Sequence, residues 1–184
     1  MCYIVTIMEP QENGGQSFWE IVRFAFVALI LVITIRIFII EPFVVDGLSM
    51  FPSFEHRDYL IVDKLSYRIS DPKRNDVIVF KYPKDQTKFF IKRVIGLPNE
   101  TVDIEGSIVT ITNEENKDGF ELEQPYVENT ASNVAHFELG DDEYFVMGDN
   151  RSASSDSRYW GAVKRELVSG KALLRLWPLS EIDV

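Results

Sequence analysis

Ser49 stands in an apolar loop, "DGLSMFPSFE" (residues 46–55), with Met50, Phe51 and Pro52 behind it and a long apolar run shortly before it. A serine hydroxyl is a weak nucleophile at neutral pH and reacts when a base takes its proton. Two kinds of base are available. His56 lies in "FEHRDY", a charged surface turn, and His136 lies in "SNVAHFEL", a passage from loop to strand. Neither sits in a Ser-His-Asp context. The other base is a lysine kept neutral by burial, since the ammonium form loses its hydration in an apolar site. Lys92, in "FFIKRVIGLP", suits that role, because the period of two places Phe90 and Val94 on its face of a strand. The bland readings are a turn serine beside a proline and a lysine that snorkels to water.

The elements that must position this pair begin with "FWEIVRFAFVALILVITIRIFII", Phe18 to Ile40. As a helix it spans roughly 34 Å, enough to cross a hydrocarbon core of about 30 Å. Its interior carries no charge, and Glu20, Arg23 and Arg36 lie near its ends. No small-x-small cleavage site follows it, so it reads as an uncleaved single-pass anchor rather than a signal peptide. One arginine near each end leaves the orientation undecided by charge.

Pro42 disfavours helix before it, and the rest of the chain reads mainly as strands. "YLIVDKLSY" and "DVIVFKY" are β-branched and aromatic. "TKFFIKRVIGL" follows, and "TVDIEGSIVTI" breaks at Glu105-Gly106-Ser107 like a hairpin. "NEENKDG" is a polar loop tip, and "EYFVMGD" is a strand running into a turn. "VKRELVSGKALLRLWPL" reads as a short helical turn followed by a last strand. Three segments result: a short N-terminal stretch (1–17), the anchor (18–40) and an all-β domain (41–184).

Composition narrows the function. The 184 residues are 46% apolar with 13 Phe, enough for a core behind an anchor. The net charge is −10, and nearly all of it falls beyond residue 40. So acidic a domain lacks the basic footprint of nucleic-acid binding. The one cysteine, Cys2, allows neither an internal disulfide nor a zinc cluster and reads as a spare thiol.

Five stretches, in order, resemble the bacterial type I signal peptidases, of the serine–lysine family: "EPFVVDGLSMFPSF", "RDYLIVDKLSYR", "RNDVIVFKYP", "FFIKRVIGLPNE" and "YFVMGDNRSASSDSRYWGAV". Together they span most of residues 41–163, and the last is the most specific. The resemblance implies a mainly β fold, a signal-peptidase-type (LexA-like) all-β catalytic domain behind one transmembrane helix. It places Ser49 as nucleophile and Lys92 as general base. Met50 would pack near the site, and Ser154 would orient the lysine. Asp149, Arg151, Asp156 and Arg158 would brace the site, with Gly148 and Asn150 completing the turn.

The sequence departs from the family's usual pattern in two places. Gly47 stands where some members have an oxyanion-binding serine, which would leave the oxyanion to backbone N–H groups, chiefly that of Ser49. "GLPNE" replaces the usual "GLPGD", and Asn99 tolerates positive φ nearly as well as glycine.

The implied activity is removal of signal peptides from exported preproteins with small residues at −1 and −3. The resemblance further implies a monomer in the cell membrane, with the amino terminus cytoplasmic and the domain outside, needing no cofactor or metal. Two rivals remain. A self-cleaving repressor of the same fold would need a DNA-binding domain, which residues 1–40 do not offer. A non-catalytic β module that binds signal peptides or envelope partners would be expected to lose Ser49 or Lys92.

Overall fold

The computed structural model describes residues 14–129 and 133–177. Cys2, most of the expected N-terminal stretch and the last seven residues lie outside them. The chain forms two compact units, Met1–Ile37 and Phe38–Val184.

In the first unit, helix α1 runs from Gly14 to Phe38. Phe18–Phe38 is long and apolar enough to cross a membrane, and Trp19 and Phe24 expose 71% and 76% of their surface. The helix stops two residues short of the expected Ile40. The reason is β1 (Ile40–Val44), a strand not anticipated from sequence, which pairs antiparallel with β2 (Tyr59–Asp63). Pro42 is tolerated because β1 is the edge of its sheet.

The second unit continues through α2 (Ser66–Ile69), β3 (Val77–Tyr82), β4 (Asp85–Gly96), β5 (Thr101–Gly106) and β6 (Ile108–Thr112). Then come β7 (Phe120–Glu121), β8 (Asn133–Glu138), β9 (Glu143–Met147), α3 (Ser157–Trp160), β10 (Val163–Lys164) and β11 (Val168–Trp177). The expected strand "YLIVDKLSY" ends early, at Asp63. That carboxylate accepts from Leu65 N–H (2.7 Å) and Ser66 N–H (3.1 Å), turning the chain into α2. The hairpin at Gly106, the loop at 113–119 and the helical turn before β11 stand where the sequence places them. Asn99 adopts φ +62°.

Every strand pairing among the described residues is antiparallel. One sheet has the order β1-β2-β11-β3-β4-β9-β10, the other β7-β6-β5-β8. β9 is buried on both faces. Phe145 and Met147 join Ile95, Val102, Ile104 and Ile111 in one core, while Tyr144 and Val146 join Ile78, Phe80 and Val94 in the other. This explains its unbroken apolar run. β4 is rooted at its C-terminal end between the same two cores, through Val94 and Ile95, which gives Lys92 and Arg93 a rigid base.

Candidate active site

Ser49 lies in the loop that joins β1 to β2. Its base is closed by Val45 N–H to Asp58 O (2.9 Å) and Arg57 N–H to Val45 O (2.9 Å). Met50, 1% exposed, anchors it from within, and Phe54 N–H returns to Met50 O (2.9 Å). Ser49 therefore sits between a buried methionine and an open turn.

β4 grips this loop from both faces. Lys92, on one face, is 4% exposed. Its Nζ donates to Ser49 Oγ at 2.7 Å and to Ile91 O at 2.8 Å, and lies 5.5 Å from the centroid of the Phe90 ring. Burial pulls its pKa down to about 8, against the opposing field of Asp156 and Asp149. Arg93, on the other face, donates Nε to Asp149 Oδ1 (2.8 Å) and Nη2 to Asp149 Oδ2 (2.6 Å). Ser53 Oγ donates to the same carboxylate at 2.6 Å. The Tyr126 ring covers the guanidinium at 4.0 Å.

The loop 148–158 completes the surroundings. Asn150 N–H donates to Ser49 O at 3.1 Å, and Asn150 Oδ1 accepts from Ser152 Oγ (3.0 Å) and Ala153 N–H (3.3 Å). Asp156 is fully buried. It accepts from Gly148 N–H (3.0 Å) and from Arg158 Nε (2.7 Å) and Nη2 (2.9 Å), and it caps α3. Arg158 Nη2 reaches Arg151 O (2.7 Å), and Arg151 Nε reaches Gly148 O (3.0 Å). Arg93 and Asp149 thus hold this loop against β4, while Asp156, Arg151 and Arg158 brace it from within.

Ser154 is buried, yet its Oγ has no hydrogen-bond partner among the described residues. The bond to Lys92 expected from the sequence is not made here. Of the two histidines, His136 lies on β8 in the second sheet, held by Asp103 at 2.6 Å. His56 Nδ1 accepts from Gly47 N–H at 3.2 Å. Neither is bonded to Ser49. Gly47 N–H is engaged, whereas Ser49 N–H has no acceptor among the described residues.

A cleft of about 450 Å³ opens above the pair, walled by Val45, Leu60, Val79 and Phe90. Arg93 and Ser53 were missed in the sequence. Period two puts Arg93 on the face opposite Lys92, but nothing local names its partner, and Ser53 carries no signal at all.

A serine hydroxyl bonded to a buried lysine amine, at the floor of an apolar cleft in an antiparallel β fold, has the make-up of a serine–lysine peptidase. The comparisons carry this further. The family model described as signal peptidase, peptidase S26, matches residues 18–177. A probable signal peptidase I-2 of Synechocystis sp. is 36% identical over 96% of this chain and 81% of its own. The signal peptidase I of Bacillus caldolyticus is 34% identical over 94% and 96%. A crystal structure of a signal peptidase I from Enterococcus faecalis is 30% identical, covering 56% of this chain and 98% of its own with a TM-score of 0.48. The chain belongs to the signal peptidase family, peptidase S26. It is a serine endopeptidase that removes signal peptides, and its substrates are preproteins that bear them.

Proposed function

We propose that Ser49 is the nucleophile and Lys92 the general base of signal-peptide cleavage. The 2.7 Å contact between Nζ and Oγ, with the amine buried, carries this reading. Neutral Lys92 takes the Ser49 proton as Oγ attacks the carbonyl that ends the signal peptide. The tetrahedral oxyanion receives the Ser49 N–H. Lys92 then gives its proton to the leaving amine, which carries away the mature chain. It next takes a proton from water, whose oxygen attacks the acyl carbon, and returns that proton to Ser49 Oγ as the ester bond breaks and the signal peptide leaves.

Asp149, Arg151, Asp156 and Arg158 brace the loop rather than react, with Gly148 and Asn150 in its turn. Met50 seats the nucleophile loop. Ser154 Oγ, buried and unpartnered, is poised to take up the amine once substrate enters. Gly47 serves as a turn residue, and its φ of +103° favours glycine there.

The apolar cleft favours an extended segment with small side chains at −1 and −3. Cleavage just past a membrane-embedded signal peptide puts the scissile bond at the bilayer face. The reading therefore has α1 in the cell membrane, the stretch before it in the cytoplasm, and the β domain, a monomer, outside at the lipid surface.

The test uses the full chain in detergent with one purified preprotein. Ser49→Ala and Lys92→Ala should each abolish processing with the β fold retained. The double variant should lose no more than either, since the two act as a unit. Processing at the parental rate by Lys92→Ala would remove the proposed mechanism.

A further inference from the structure

Above the two backbone bonds that close the nucleophile loop, the next rung across it is a side-chain bond. Gly47 N–H donates to His56 Nδ1 at 3.2 Å. That nitrogen accepts only while it carries no proton. Asp46 Oδ1 lies 3.4 Å from the same atom. A protonated Nδ1 is a donor; it loses Gly47 and has the Asp46 carboxylate as its partner. Among the described residues, Asp46 is the ionisable group paired with the ring. The flanking Glu55 and Arg57 are exposed, and Asp58 is engaged by Glu55 N–H (2.7 Å) and Arg175 Nε (3.1 Å).

Gly47 is separated from Ser49 by Leu48 alone, and Leu48 O accepts from Phe51 N–H at 3.2 Å. A shift at Gly47 therefore passes directly into the peptide that carries the Ser49 N–H. We propose that His56 is a positioning residue for the reaction. As a neutral ring it clamps Gly47 and so holds Ser49 Oγ and N–H in place, and protonation hands Nδ1 to Asp46 and slackens the loop. The proposal rests on Ser49 being the nucleophile. It gives the enzyme a second proton dependence, separate from that of Lys92 and acting through geometry.

The test measures kcat and KM across pH for the full chain in detergent with a purified preprotein. His56→Leu removes the acceptor. His56→Asn sets an amide oxygen near the place of Nδ1, accepting without titrating. On the alkaline plateau His56→Leu should lose about fivefold in kcat with KM little changed, as one partly exposed hydrogen bond to a catalytic loop warrants. His56→Asn should recover most of that loss. Toward acid pH the parent should fall a further roughly fivefold below the single-proton line that His56→Asn follows. Parental kcat in His56→Leu, equal losses in both variants, or the extra acid-side fall persisting in His56→Asn would each overturn the proposal. Processing by Ser49→Ala would instead overturn the nucleophile assignment, whatever His56 does.

Discussion

Asn150 gives its backbone N–H to the carbonyl of Ser49 at 3.1 Å, so the peptide of the proposed nucleophile is tied to the loop that carries Asp149 and Asp156. The tie leaves no room beside it. A Cβ on Gly148 would stand 2.4 Å from Ser49 O and 2.3 Å from Ser154 Oγ. The first of these atoms is backbone and cannot swing aside.

Gly148→Ala should therefore displace Ser49 as well as Ser154. A shift near 1 Å at a reacting group lowers kcat about a hundredfold. Steady-state kinetics on a preprotein, alongside thermal unfolding, checks this. A variant with parental kcat would show that the Asn150–Ser49 tie does not position the nucleophile.

Lys92 is proposed to supply activity while its burial costs stability. Its ammonium is held to a pKa of about 8 by burial, against Asp156 and Asp149. With Lys92 as the proposed base, the neutral amine grows as pH rises through that value, so kcat/KM should climb about tenfold per pH unit below it and level off above. Below it the lysine is charged both folded and unfolded, and the native state bears the desolvation penalty. Between there and the unfolded value of about 10.4, only the unfolded lysine keeps its proton, so stability rises with pH. Lys92→Met should abolish processing yet raise the Tm at pH 7 by several degrees, with the gain shrinking toward pH 10. Calorimetric or fluorescence melting at the two pH values reads this out, and a lower Tm at pH 7 would contradict it.

Ser154→Ala separates orientation from folding. The buried Oγ has no partner, so its removal should leave stability unchanged or raise it by about 1 kcal/mol. If the hydroxyl orients Lys92 in the substrate complex, kcat should fall roughly tenfold with KM nearly constant. Loss of stability without loss of kcat would make Ser154 a packing residue.

Specificity should follow the cleft. Replacing the residue at −1 or −3 of a preprotein with Leu, Phe or Asp should sharply reduce cleavage, whereas Ala, Gly or Ser should be accepted. Competition between paired substrates gives the ratio of kcat/KM directly. Efficient cutting after Phe at −1 would rule out shallow pockets.

Much of this enzyme is written in local pattern. An uncharged apolar run dictates a helix such as α1, and β-branched stretches bounded by Gly, Pro and Asn dictate β3, β4, β5, β6 and β9. The same period of two put Phe90 and Val94 on the face of Lys92, and both pack there in one core. Ser49, Lys92 and the loop from Gly148 to Arg158 were legible from ordered motifs and their family likeness.

Local pattern failed wherever a distant partner decided. Ile40 ends outside the helix because β2 offers β1 a ladder, and "KLSY" leaves the strand because Asp63 accepts from the N–H groups of Leu65 and Ser66 and turns the chain.

By itself, then, the sequence determined the anchor helix, most of the strands and the residues able to do chemistry, because propensity and periodicity act between near neighbours. Only the tertiary structure decided what those residues meet. Lys92 finds Ser49 across 43 positions, and Arg93 finds Asp149 across 56. Ser154 is left unpartnered, and His56 takes the Gly47 N–H instead of the serine proton. Each depends on the strand order β1-β2-β11-β3-β4-β9, which is set by the combined burial of two cores and not by any single segment.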